Sequence, residues 1–161
     1  MSTVVVVSSR QGHNFTQEIK AGNHTVLADE PTSVGGNDLG PNPKELVLAS
    51  LGACTGMTLL MLARRKKWDL QKVTVTVSEQ LVPDPANSGQ NITQITEQVD
   101  VLGNLAAAEL QALQGAASKC PVYKLLTGPK QVVTNLVHTP PVVTPASGQP
   151  AGSGPAAPGQ P

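Results

Sequence analysis

Leu46–Ala63 reads LVLASLGACTGMTLLMLA, 18 residues without a charge. Two physical solutions exist for such a segment. It can cross a membrane, with Gly52 and Gly56 at the GxxxG spacing of packed transmembrane helices. It can also run through the middle of a soluble core, where a helix that is apolar on every face belongs. The segment sits at the short limit for a span and carries Ser50, Thr55 and Thr58. Strand-like sequence flanks it on both sides. We therefore read a soluble central helix, with Gly52, Ala53 and Gly56 letting another backbone come close. Its start is well marked: Asn42 is the expected N-cap, Pro43 suits the first helical position, and Glu45 completes an N-x-x-E capping pattern. Its end is the basic run ARRKK at 63–67, which complements the helix dipole and stays solvated.

Working outward, Val4–Ser9 is a β-branched run and hence a strand. Phe15–Lys20 and His24–Ala28 continue it as an antiparallel meander. DEPTSVGGNDLGPNP, residues 29–43, is too rich in glycine and proline for anything but a loop. Beyond the helix, Val73–Glu79 alternates strictly, and Ile92–Leu102 is expected to pair with it as a long hairpin. A helix is expected over Leu105–Ala117 with Asn104 as its cap, then a short helix from Cys120-Pro121 to Leu126, then a last strand over Val132–Val137.

The chain of 161 residues suits one domain, placed at residues 1–138. From Thr139 the composition changes: 7 of the 14 prolines fall in an uncharged Pro/Ala/Gly-rich stretch. Such a tail, residues 139–161, cannot build a core and is expected to be flexible. Truncation after Val137 is expected to leave the melting temperature nearly unchanged. A loss of several degrees on a thermal melt would show that the tail packs on the body.

Phe15, Trp68 and Tyr123 are the only aromatic residues, so aliphatic side chains must fill the core. Lys plus Arg and Asp plus Glu both number 11. That balance argues against nucleic acid or an anionic membrane as partner. MSTVVVVSSR lacks a basic n-region and an h-region of secretory length, which makes the cytoplasm the expected compartment. His13, His24 and His138 show no metal-ligand spacing.

Two cysteines, Cys54 in LGACTGM and Cys120 in SKCPVYK, make no disulfide framework. ADEPTSVGGNDLGPNPKELVLASLGACTGMTLLMLARRKKW, followed much later by KCPVYKLL, resembles the OsmC-like family. That family includes organic hydroperoxide resistance proteins and osmotically inducible protein C. The resemblance runs from about residue 21 to 137. It implies an α/β (α+β) fold in which two antiparallel sheets wrap long central helices, intertwined in a homodimer whose sites lie at the dimer interface. It also implies a thiol peroxidase in which Cys54 attacks an organic hydroperoxide and Cys120 resolves the product. The implied reductant is a dithiol such as a lipoylated protein, and no metal or flavin is needed.

An attacking thiol must ionise, and burial alone works against that. Residues at i−7, i−3, i+4 and i+7 from Cys54, namely Val47, Leu51, Thr58 and Met61, share its helix face and supply an apolar wall for the substrate. A cation has to come from elsewhere. In the peroxidases of that family it is an arginine of the N-terminal meander held by a glutamate ten positions before the cysteine. The one arginine ahead of the helix here is Arg10. The glutamate position holds Lys44, and Glu45 lies nine before Cys54, on the opposite face and about 13 Å away along the axis. Glu45 then has two readings, helix cap or clamp. Cys120, next to Lys119 and at a helix start, is locally the better placed thiolate. Two functional classes follow: an organic hydroperoxide reductase, favoured by the cysteines, and a non-peroxidatic protein binding a hydrophobic small molecule at the same interface, favoured by Lys44.

Overall fold

The computed structural model describes residues 3–138. The expected tail at 139–161 lies outside them. Strands β1 (Val6–Ser9), β2 (Gln17–Ala21) and β3 (His24–Ala28) form an antiparallel meander. Ala21 pairs with His24 across a two-residue turn, and Ser9 pairs with Gln17 across the longer loop 10–16. Next come α1 (Pro43–Lys66), the long strands β4 (Asp69–Pro83) and β5 (Asn91–Asn104), then α2 (Ala107–Ala117) and α3 (Pro121–Thr127). β4 and β5 pair only with each other, as a second antiparallel sheet. The architecture is α+β with two antiparallel sheets, as the resemblance implied.

The loop between β3 and α1 owes its shape to Asp29, which is buried. Its carboxylate accepts the Thr16 hydroxyl at 2.8 Å and the backbone N–H groups of Glu30, Asn37 and Leu39 at 2.8, 3.3 and 3.4 Å. The glycines of this loop are matters of space. A Cβ on Gly36 would stand 1.8 Å from the Glu30 carbonyl oxygen, and one on Gly40 2.3 Å from that of Leu27. Burial pushes the Asp29 carboxyl up, yet the four hydrogen bonds outweigh it and hold it below its ordinary value of 3.8. A depressed carboxylate stabilises the fold above the unfolded-state value and loses that contribution as pH falls through the folded one. Asp29→Asn is therefore expected to lower the melting temperature at neutral pH and to weaken its fall below about pH 4. Parallel acid melts of the two proteins would check this; superimposable curves would remove the loop anchor.

A capping box opens α1. Asn42 Oδ1 accepts the Glu45 N–H at 2.9 Å, and the Asn42 N–H donates to Glu45 Oε2 at 2.8 Å. Arg64, Arg65 and Lys66 close it against the carbonyl end of the dipole. One stripe of α1 is buried: Leu51, Thr55, Leu59 and Ala63, four apart. Leu59 meets Leu113 and Ala116 of α2 in the core, with Trp68, Val73 and Val99 packed around them. Gly52 faces β4, where an added Cβ would be 3.0 Å from Val77 Cγ2. The GxxxG spacing thus seats a strand of the same chain and not a second membrane helix.

Three expectations need correction. The hairpin is longer than Val73–Glu79 and Ile92–Leu102, because alternation is legible only where one face is buried and its far end is wet on both faces. Asn104 does not cap α2. It ends β5, its N–H directed at Asp69 Oδ2. Ala106 is the N-cap residue, and its N–H donates to Glu109 Oε2 at 2.8 Å. Val132–Val137 is not a strand. Described by itself, the segment from 131 to 138 holds no helix or ladder, and Leu136 is 97% exposed. Strand propensity becomes a strand only where the segment pairs with a neighbour.

Candidate functional site

Cys54 lies midway along α1 and is half-buried, whereas Cys120 is 0% exposed. Helix α3 delivers Cys120 to Cys54. It starts at Pro121, where no N–H is missed, and the chain before it is extended, so Cys120 is its N-cap. The Cys120 sulfur accepts the Tyr123 N–H at 3.2 Å. The two thiols, 66 positions apart in sequence, are neighbours close enough to shift each other's titration, and both are free.

Their environments differ. Burial pushes the Cys54 thiol up, and the neighbouring Cys120 pushes it further; the N–H of Val122 and the Thr58 hydroxyl only partly offset this. Burial also acts against the Cys120 thiolate. There, however, the Cys54 thiol, the Tyr123 N–H, the Thr55 hydroxyl and the Val122 N–H together win, and its value falls below that of an ordinary thiol. Thr55 is fully buried with no well-formed hydrogen bond of its own, so this sulfur is the acceptor it faces. The pair is a proton donor on α1 beside an acceptor at α3.

The other expected residues are spread out. Glu45 is exposed and engaged in the capping box. Lys44, at the position of the peroxidase glutamate, makes an ion pair with Glu79 of β4. Arg10 is exposed in the turn after β1, its N–H donating to Thr16 O at 2.9 Å and its carbonyl accepting the His13 N–H at 3.3 Å, and its side chain makes no ion pair among the described residues. Of the apolar wall, Leu51 is buried and lines a cavity of about 720 Å³ between β5, α2 and α3. Thr58, whose hydroxyl donates to the Cys54 carbonyl at 2.8 Å, and Met61 line a second groove of about 1020 Å³ beside Arg64, Arg65 and Lys119. Val47 is exposed and lines neither.

Sequence reasoning missed Thr55 and the two backbone donors of α3. Nothing in the order of residues marks them, since their role depends on where the helix is docked. It also missed Glu97, a carboxylate on the inner face of β5. There a signal existed, because Ile95, Glu97, Val99 and Val101 fall on one face of the alternation. Among the described residues no three His, Cys, Asp or Glu side chains gather as a metal site.

The fold has solved counterparts. An OsmC-like protein from Mycoplasma pneumoniae superposes with a TM-score of 0.63 at 18% identity, covering 80% of this chain and 89% of that one. An organic hydroperoxide resistance protein OsmC from Legionella pneumophila gives 0.56 at 23% identity, covering 80% and 90%. The organic hydroperoxide resistance protein OhrB of Bacillus subtilis gives 0.52 at 22%, covering 80% and 92%. At such identities the likeness concerns the fold. No curated protein matches the chain in sequence. The family model described as OsmC-like protein matches residues 35–135, from the GG loop through α1, the hairpin and the cysteine-bearing start of α3. The chain belongs to the OsmC-like protein family.

Proposed function

We propose that the protein is a thiol peroxidase that reduces organic hydroperoxides through Cys54 and Cys120 and protects the cell against oxidative stress. It works as a cytoplasmic homodimer, and a dithiol such as a lipoylated protein restores it. The observation that carries this reading is the meeting of a half-exposed thiol and a buried, more acidic one in a single apolar site. Solved relatives named as organic hydroperoxide resistance proteins support it.

Exposure decides the roles. A peroxide can reach Cys54 and not Cys120. Cys120, as thiolate, takes the proton of Cys54. The Cys54 thiolate attacks the outer peroxide oxygen, the O–O bond breaks, and a sulfenic acid forms. The leaving alkoxide takes the proton from Cys120 and departs as the alcohol. Cys120, again a thiolate, attacks the sulfenic sulfur; the disulfide forms, and hydroxide leaves as water with a proton from solvent. Two thiols lose two electrons and one peroxide gains them. Among the described residues no cation of the same chain acts on either sulfur, so we assign that part to Arg10 of a second copy, while Glu45 serves the helix.

Lys44 favours a second reading. Its ion pair with Glu79 occupies the place where the peroxidase clamp would be anchored, as in a protein that binds a hydrophobic molecule without turnover. Anaerobic titration with cumene hydroperoxide, counting free thiols, separates the two. The peroxidase loses both thiols at one equivalent and regains them with a dithiol. Thiols that react no faster than free cysteine would leave the binding protein.

A further inference from the structure

We infer that the cavity between β5, α2 and α3 is a binding site for a small amphipathic molecule with a protonated amine head, held by Glu97. The cavity measures about 720 Å³, within the range of small-molecule sites. Aliphatic side chains make up much of its wall, with Leu59, Val99, Val101, Leu110 and Leu113 among them, polar side chains share the rest, and no Lys, Arg or His lines it. Glu97 is its one ionisable carboxylate. Oε1 of that carboxylate is out of solvent and accepts no hydrogen bond among the described residues. Thr93, Gln114, Ser118, Tyr123 and Thr127 share the lining, yet none donates to Oε1.

A carboxylate oxygen taken out of water is costly unless a donor meets it. The same hairpin shows the ordinary remedy. Glu79, across from Ile95, has Lys44. Glu97, across from Val77, has nothing comparable. An alkylammonium ion supplies what is missing: N–H donors with a positive charge for Oε1 and a chain for the aliphatic walls. Neither cysteine lines the cavity, but Leu51 of the expected substrate wall and Tyr123, whose N–H meets the Cys120 sulfur, do, so the site borders the thiol pair while its amine preference rests on Glu97 alone.

Calorimetric titration of the full chain with n-decylamine, n-decanoate and n-decanol tests it, all below their micellar concentrations. Decylamine is expected to bind once per chain, about 10-fold or more tighter than decanoate. Glu97→Gln, which keeps the shape, should erase that preference while decanol binding persists. Ala117→Trp, which fills the cavity, should abolish all binding, with far-UV circular dichroism confirming that both variants fold. Equal binding of amine and acid, or none by any probe, would leave a hydrated cavity and overturn the proposal. So would a Glu97→Gln chain that keeps the amine preference, or one whose self-association weakens, since Glu97 would then belong to a second copy.

Discussion

Cys54→Ser is expected to lose organic hydroperoxide reduction by at least about 1,000-fold, the scale on which removing a nucleophile acts. Cys120→Ser should behave differently. Cys54 can still attack, so one equivalent of peroxide is consumed and a sulfenic acid accumulates, trappable with dimedone. With no resolving thiol, excess peroxide should drive it on to the sulfinic acid, which mass spectrometry reads. The pH profile should move as well. In the native pair the first proton leaves below the range of a free thiol, because the Cys54 thiol, the N–H groups of Tyr123 and Val122 and the facing Thr55 hydroxyl together favour the Cys120 thiolate. Without Cys120 the remaining thiol is one that burial pushes up. The first step should then need more alkaline solution. Trapping at Cys120 in the Cys54→Ser protein would reverse the roles, and it would require α3 to swing out, since that sulfur has no exposure.

The order of residues shows the fold wherever a signal is local. The N-x-x-E cap, the Asn42-Pro43 start and the basic end bracket α1 to within a residue, because caps satisfy backbone groups of their own turn. β3 matches its expected bounds because Gly22 turns the chain just ahead of it and the buried Ala28 and Asp29 end it. The far end of β4 did not show, since Gln80 and Leu81 carry strand while exposed. The site was legible in the same uneven way. The helix-start argument identified Cys120 as the more acidic thiol, and the structure agrees in direction. The wall around Cys54 was drawn from one helix wheel. Which part of a helix face becomes a pocket depends on the elements that dock beside it, so Leu51, Thr58 and Met61 fall into separate hollows and Val47 into none.

The helix that opened the question carries the last expectation: Met57→Lys/Met61→Lys should convert a dimer into a monomer. Only 28% of the apolar window of α1 is buried within one chain, and Met57 and Met61 are 59% and 70% exposed. The β1–β3 sheet likewise leaves Val5, Val6, Val7 and Val26 open to water. Lipid cannot be what covers α1. Strand β4 packs along Gly52, and the outer face of the hairpin, with Thr74, Thr76, Gln98 and Asp100, is polar and exposed. A two-stranded sheet with open edges has unpaired backbone groups that a bilayer does not tolerate. A second copy offers the same apolar face and the same uncovered sheet. Both methionines point away from their own core, so charging them spares the fold of one chain. Burying a methionine is worth ~1–2 kcal/mol, and four are lost per dimer, which predicts a weakening of at least ~1,000-fold. Sedimentation at micromolar concentration should show a dimer for the native chain and a monomer for the variant. A native chain that is a stable, folded monomer would refute the shared core, and so would a double variant that stays dimeric.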